Sequence, residues 1–417
     1  MKNIIFFVRN FSERGTEVAL YDYAQFNEDI LKNKSYILYF SETMTKSLNW
    51  PYTTISNNKF KDRFGELYEM HCLEDISQFI DKYNIHFFYD IAYGDYDNTL
   101  QFGNINIWKH CKTIRHAVFD TRFPDADFYC GISHALNKKY NTNVFVLPHM
   151  VHLPKENDIK LDLRDELNIP KNALVFGRYG GPETFDIDYV CDVIDDITNK
   201  YDNIYFIFMN TAKSITEKKN VIYLDINISL EYKLKFINTC DAMIHARFGG
   251  ETFGLSCGEF AIKNKNIISC YSPFDNAHID ILQDKIILYN NKETVTDILL
   301  NFDKYKKDMT ENGYKLYTPQ LVMNIFSNML SIIDNITRVP HEFIFLKGLD
   351  SPNNDIKYVG KKSIAELKDI CNNEPKCIGF NTLGFMKSKI NLDNLQPSKY
   401  FFDNNDGLYI DLNKLAK

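Results

Sequence analysis

The chain has 417 residues, 45% of them hydrophobic, 14% aromatic and 25% charged, with a formal net charge of -7. That length exceeds one ordinary hydrophobic core and the composition excludes wholesale disorder, so two domains and a smaller third are expected. The acidic balance argues against a nucleic-acid-binding protein, which concentrates positive charge, but leaves room for a small anionic ligand held by amides and a few basic residues.

The opening MKNIIFFVRNF has an apolar run too short for a signal peptide or a membrane span, and reads as a first buried strand, Asn3–Val8. Peripheral contact with a membrane surface stays open. A helix is expected over 17–31, then strands over 36–40, 85–91, 113–119 and 144–147, with an amphipathic helix over 73–83. After a Pro- and Lys-containing segment around 148–160 the rhythm restarts. Strands are expected over 173–177, 204–209, 221–223, 242–245, 266–269 and 286–289, with helices near 187–200 and 258–263. Strands alternating with helices predict βαβ units and parallel sheets covered on both faces. The fold class is therefore α/β, with two doubly wound Rossmann-like domains over 1–153 and 154–339, facing a cleft at the carboxyl ends of their strands. An amphipathic helix over 321–333 is expected to close the second domain. Beyond Pro340 the segments become short and aromatic, and 340–417 reads as a small α+β module. The nine cysteines lack metal-binding spacing, and the reading is reduced thiols in a cytoplasmic protein. Cys371 and Cys377 are the one tight pair.

The stretch RFGGETFGLSCGEFAIKNKNIIS, residues 247–269, follows one expected strand and runs into a helix. Its loop therefore lies at the cleft, where unpaired N–H groups and the positive end of a helix dipole suit hydroxyls or an anion. Glu251 stands in the loop and Glu259 on the first turns of the helix. Each can grip a different part of an elongated ligand, although spacing alone allows two solvated carboxylates equally well.

Glu251-Thr252-Phe253-Gly254-Leu255, with Glu259-Phe260-Ala261 and the apolar Asn266–Ser269 beyond, resembles the donor-sugar motif of retaining GT-B glycosyltransferases of the family-four type (glycosyl transferases group 1). The resemblance runs along roughly the first 335 residues. It implies that Glu251 and the amides of Phe253, Gly254 and Leu255 contact the transferred sugar, and that Glu259 binds the nucleotide ribose. The loop Arg9–Glu17 is similar to the family's glycine-containing loop, which puts Gly15 and Thr16 beside the donor phosphates and acceptor, though a plain helix cap at Thr16 explains that segment too. His116, in Ile114–Phe119, falls where the family has a cleft histidine. Arg178, in Phe176–Gly181, matches the family's phosphate-binding arginine. The family's nearby lysine is missing, because residue 183 is Glu; the amides of Gly180 and Gly181, or Arg247, are candidate substitutes. Asp275, Asn276 and His278 either line the cleft or form a polar turn. The C-terminal module, with its two cysteines and Gly379–Phe385, looks like PAN/apple-like appendages that bind glycan or protein. A packing or dimerisation appendage fits equally.

The resemblance implies transfer of a hexose from a nucleoside-diphosphate sugar, UDP-sugar before GDP-sugar, to a glycan or other hydroxyl acceptor, with anomeric configuration retained. Glu251, His116 and Arg178 are the expected catalytic residues. No metal or cofactor is expected, since Asp95-Tyr96-Asp97 fits the letters of a metal motif without ending a suitable strand. A nicotinamide-dependent oxidoreductase is disfavoured by the lack of Gly-x-Gly-x-x-Gly after either first strand. A non-catalytic nucleotide-sugar- or glycan-binding protein on the same scaffold is the alternative. The sequence does not indicate an oligomeric state.

Overall fold

A computed structural model describes all residues except 96, 155–161, 228, 335–342, 375, 392–393, 402, 404 and 412–417. The expected boundary at 339/340 and the middle of Asp95-Tyr96-Asp97 therefore lie outside the described residues, as does most of the linker after Pro154.

The first half of the larger compact unit is a parallel sheet of β1 (Asn3–Val8), β2 (Lys34–Phe40), β3 (Leu67–Met70), β4 (Phe87–Ala92), β5 (Lys112–Ala117), β6 (Phe128–Gly131) and β7 (Phe145–Val146), in the order β3-β2-β1-β4-β5-β6-β7. The second half repeats the plan with β8 (Leu174–Tyr179), β9 (Ile204–Met209), β10 (Val221–Leu224), β11 (Ala242–Ile244), β13 (Asn266–Ser269) and β15 (Ile287–Leu288), in the order β10-β9-β8-β11-β13-β15. Two short strands, β12 (Gly250–Glu251) and β14 (Asp275–Asn276), pair parallel to each other outside that sheet. Strand order reverses between β1 and β4 and again between β8 and β11, and loops at such switch points frame ligand crevices.

Alternation along the strands explains why apolar runs predict them. In the second sheet Val175, Tyr205, Ile207, Met243 and Ile267 face one core with Phe236, Ile237 and Phe260. Phe176, Phe206, Phe208, Ile244 and Ile268 face a second core with Val190, Ile194, Val295 and Ile298. Both faces are dry, as a parallel sheet under helices requires.

The long helix Pro319–Asp334 departs from expectation. It begins after the second sheet, yet Phe326 stacks on Phe6 at 6.4 Å and lies 5.4 Å from the rings of both Tyr23 and Tyr89. Lys2 and Asp334 add an ion pair at 2.9 Å. The helix closes the first half, because its apolar stripe completes that half's aromatic core. The backbone N–H of Val151 donates to the carbonyl of Tyr317 at 2.7 Å, so the two crossings between halves run side by side.

A second compact unit contains a five-stranded antiparallel sheet in the order Phe343–Lys347, Gly407–Asp411, Gly379–Asn381, Phe385–Lys387, Asp355–Tyr358, and the helix Ile364–Asn373. Residues 97–109 and 125–127, assigned by sequence to the first domain, group with this unit. Cys371 and Cys377 are buried, with sulfur atoms 2.8 Å apart.

Candidate functional site

A cavity of about 370 Å³ opens between the two Rossmann-like halves. The first half lines it with Glu13, Arg14, Gly15, Thr16, Phe119 and His149; the second contributes Arg178–Gly181, Lys233, His245, Arg247, Glu251–Ser256 and Glu259. These positions lie at or just past the carboxyl end of a strand, or on the helix after it, as the winding of both sheets dictates.

Glu251 is held from both sides. Arg247 donates to Oε2 at 3.0 Å, and His245 Nε2 lies 3.3 Å from Oε1. Burial pushes this carboxyl up, but the His245 hydrogen bond and the Arg247 charge outweigh it and bring it down to about 2. The loop that carries Glu251 is fixed by backbone. Gly250, at φ +64°, pairs with Asp275 so closely that a Cβ would stand 1.8 Å from the Asp275 carbonyl oxygen. Gly254, at φ +82°, caps the helix Leu255–Ile262 in the left-handed region, where only glycine sits without strain. The first amides of that helix lack intrahelical acceptors, and Leu255 and Ser256 face the cavity. Tyr314 pins the entry to the helix by donating its hydroxyl to the Phe253 carbonyl at 2.5 Å.

Glu259 is buried on the first turns of the same helix, where it accepts a hydrogen bond from the Tyr179 hydroxyl and pairs with Lys233 at 2.8 Å. Lys233 lies on the helix Leu230–Thr239, which the sequence reading did not anticipate. Its signal was Ser229, whose hydroxyl caps the helix, followed by Leu230, Leu234 and Ile237 at helical spacing. Arg178, at the end of β8, donates to Thr211 and Thr184 and, at 2.9 Å, to the Gly181 carbonyl. Burial lowers it to about 10, so it stays charged at neutral pH. Gly180 and Gly181 line the cavity beside it.

From the first half, Gly15 opens the helix Gly15–Asp29 with Arg14 at its N-cap. Thr16 is not the cap; its hydroxyl donates to Glu17 at 2.6 Å. Glu183 lies 3.7 Å from Arg14, both side chains largely exposed.

One expectation needs correction, and one open alternative is decided by the geometry. His116 does not reach the cavity: it is fully buried on β5, with Nδ1 2.7 Å from the Tyr89 hydroxyl. Burial and neighbouring His149 push its basicity well below the usual histidine range. His149 lines the cavity instead, packed between His116 and Phe253 with ring centroids 5.6 Å from each. Its titration is pushed down to about 3 by burial. Asp275 and Asn276 are outside the cavity lining and hold the turn. Asp275 pairs with Lys139 at 2.8 Å, and Asn276 exchanges hydrogen bonds with Ser272 at 2.8 Å. His278 is buried behind the cleft, where Ser269 joins it to His245. Among the described residues, no group of three or more His, Cys, Asp or Glu side chains is arranged to hold a metal ion.

No family model matches the chain. A mimivirus protein, from Acanthamoeba polyphaga mimivirus, that carries the provisional name fucosyltransferase R654 is 29% identical over 257 residues. That match covers 57% of this chain and 40% of the relative's length. Among solved structures, Anabaena Alr3699/HepE in complex with UDP-glucose superposes with a TM-score of 0.59 at 12% identity, covering 81% of this chain and all of that one. UDP-GlcNAc 2-epimerase from Neisseria meningitidis, bound to UDP-GlcNAc, gives 0.52 at 10% identity, covering 79% and 100%. At such identities the likeness concerns architecture, and the architecture is that of the GT-B fold, two Rossmann-like domains around a cleft.

Proposed function

We propose that the chain is a glycosyltransferase that takes a sugar from a nucleoside-diphosphate donor bound in this cleft. The observation that carries the reading is the pair of differently partnered carboxylates at one helix entry, Glu251 partly exposed and Glu259 buried. Glu251 is ionised and open to the cavity, and Glu259 stands one turn into the helix, beside Tyr179 and Lys233. A donor is elongated in the same way, with sugar hydroxyls at one end, ribose hydroxyls at the other and a diphosphate between them. The fold shared with HepE and the motif resemblance support the same placement.

In this reading Glu251 accepts hydrogen bonds from sugar hydroxyls and Glu259 from the ribose. Arg178, the Gly180-Gly181 amides and the N-termini at Gly15 and Leu255 stabilise the departing diphosphate, whose charge grows as the glycosidic bond breaks. The cleft's task is electrostatic, aimed at a transition state with positive charge on the sugar. The leaving phosphate takes the acceptor's proton on the face it departs from, so configuration is retained. His149, uncharged at neutral pH, presents a ring to the sugar side of the cavity and replaces His116 in the scheme. The donor favoured is a UDP-hexose, then a GDP-sugar, and the acceptor a glycan or other hydroxyl compound. Side chains and amides supply the positive charge, so turnover is expected to survive a chelator. The small unit with the five-stranded sheet is read as a PAN/apple-like appendage.

Thermal shift against UDP-, GDP-, TDP- and ADP-sugars, followed by donor hydrolysis with the best of them, tests the reading, because a ligand of the folded state raises the melting temperature by mass action. Stabilisation with turnover is expected. Binding without turnover on any donor or glycan acceptor would instead identify a non-catalytic binding protein.

A further inference from the structure

We propose that Ser269 and His278 are positioning residues for Glu251: they fix His245 as the neutral tautomer with its proton on Nε2, so that this N–H is always offered to the Glu251 carboxylate. The inference deepens the donor-sugar reading of Glu251, while the proton arrangement is a property of the protein alone.

Four groups form one hydrogen-bonded chain. His245 Nε2 lies 3.3 Å from Glu251 Oε1, and His245 Nδ1 lies 2.8 Å from Ser269 Oγ. Ser269 Oγ lies 2.9 Å from His278 Nε2. Ser269 and His278 are completely buried, and His278 Nδ1 has no hydrogen-bond partner among the described residues. A hydroxyl has one hydrogen to give, so the chain can run in only two directions. In the first, His245 donates from Nε2 to the carboxylate, Ser269 donates to His245 Nδ1, and His278 donates from Nε2 to Ser269. The atom left over, His278 Nδ1, is then a bare lone pair. In the second, His245 carries both protons, Ser269 turns round to donate to His278 Nε2, and the leftover Nδ1 of His278 must carry a buried N–H with no acceptor.

Orphaned buried N–H groups are the rarer and costlier defect, so the first direction prevails. Placing the His245 proton on Nδ1 alone would set two lone pairs against each other at the Glu251 contact. Burial also keeps His278 uncharged, since its titration is pushed down to about 3. The ionised Glu251 thus has two donors, Arg247 on one oxygen and His245 on the other. Glu251 itself lines the cavity.

The experiment is side-chain nitrogen NMR on the full chain labelled at histidine, assigned with the single variants at 245 and 278. His245 and His278 are expected to show protonated Nε2 and bare Nδ1. In Ser269→Ala, His245 is expected to keep its Nε2 proton and to show a second, partly occupied proton on Nδ1, since nothing then donates to that atom. His278→Gln, whose amide can still donate to Ser269, should keep the His245 signal, whereas His278→Leu should not. UDP and UDP-glucose binding gives the functional arm. Ser269→Ala and His278→Leu should weaken UDP-glucose about 3- to 10-fold, the worth of one hydrogen bond, and leave UDP unchanged, with His278→Gln restoring affinity. A His245 proton on Nδ1, or a Ser269→Ala spectrum like that of the parent protein, overturns the proposal. Equal weakening of UDP and UDP-glucose does so too, because it marks a merely structural role. If the parent protein binds neither compound, the choice of donor fails while the tautomer result stands by itself.

Discussion

Glu251 and Arg178 illustrate what a residue type can and cannot announce in advance. The motif gave both positions, but not that Arg178's guanidinium is already hydrogen-bonded to Thr184, Thr211 and Gly181. Those partners fix it as a planar fork, which lysine cannot reproduce. Arg178→Lys should therefore weaken nucleoside-diphosphate binding almost as much as Arg178→Ala, by roughly 10- to 100-fold in a calorimetric titration. Glu251 makes a prediction in acid. Its folded-state titration at about 2 lies below the ordinary carboxylate value, so its stabilising contribution is complete above that ordinary value and fades as the pH falls toward 2. The contribution is at most about 3 kcal/mol. Urea unfolding should show the stability gap between the parent chain and Glu251→Gln narrowing from about pH 6 to about pH 3. A gap that widens on acidification would contradict the ion pair with Arg247. In turnover, Glu251→Ala should cost about 100-fold or more in kcat/KM, the usual scale for losing a contact to the reacting sugar. His116 shows the limit of reading single residues: a histidine at a strand end looks the same in sequence whether it faces a cleft or a core. Pleat parity and the packing of Tyr89 decided against it.

Elements with strong periodicity were legible. The helix Leu73–Tyr83 and the strands Asn3–Val8, Ile204–Met209 and Asn266–Ser269 appear where their apolar spacing put them, to the residue. The short polar helices Glu42–Ser47 and Asn57–Phe64 did not, because ETMTKS and NNKFKDRF hold little apolar pattern; the first is capped by Ser41, and the second rests on Phe60 packed against Phe11 and Tyr21. Leu230–Thr239, and Lys233 with it, does carry helical spacing in Leu230, Leu234 and Ile237, but over only 10 residues. At the helix that carries both carboxylates, the left-handed Gly254 sets the angle of entry. Gly254→Ala would drive a Cβ to 2.9 Å from the Tyr314 hydroxyl and 3.1 Å from His278 Cβ. A loss of about 1–3 kcal/mol in chemical denaturation is expected, together with weakened donor binding. Tyr314→Phe removes the bond to the Phe253 carbonyl without adding bulk. It should cost about 1 kcal/mol and loosen the same loop, read as faster amide exchange at Gly254 and Leu255.

At the scale of the molecule, two doubly wound sheets and the cleft between them followed from alternating runs of apolar residues. The destination of the last long helix did not. Periodicity says that Pro319–Asp334 has a buried stripe and is silent on which core takes it. Phe326 is fully buried among Phe6, Tyr23 and Tyr89. Phe326→Ala should therefore destabilise the first half, by about 3–5 kcal/mol in guanidinium unfolding, although residue 326 lies past the second sheet in sequence. The neighbouring crossing segments have a mechanical consequence. Val151 and Tyr317 are hydrogen-bonded where the chain passes between halves, so any rotation of one half against the other turns about that narrow strip. Tyr317 packs its ring 5.2 Å from Phe253, Tyr314 holds the Phe253 carbonyl, and a Cβ on Gly258 would stand 2.9 Å from Val151. The axle of the molecule and the loop that carries Glu251 are thus built from touching residues. A sugar seated against Phe253 and Glu251 would be felt first not at the rim of the cleft but at its pivot, as a change in the angle at which the two halves rest.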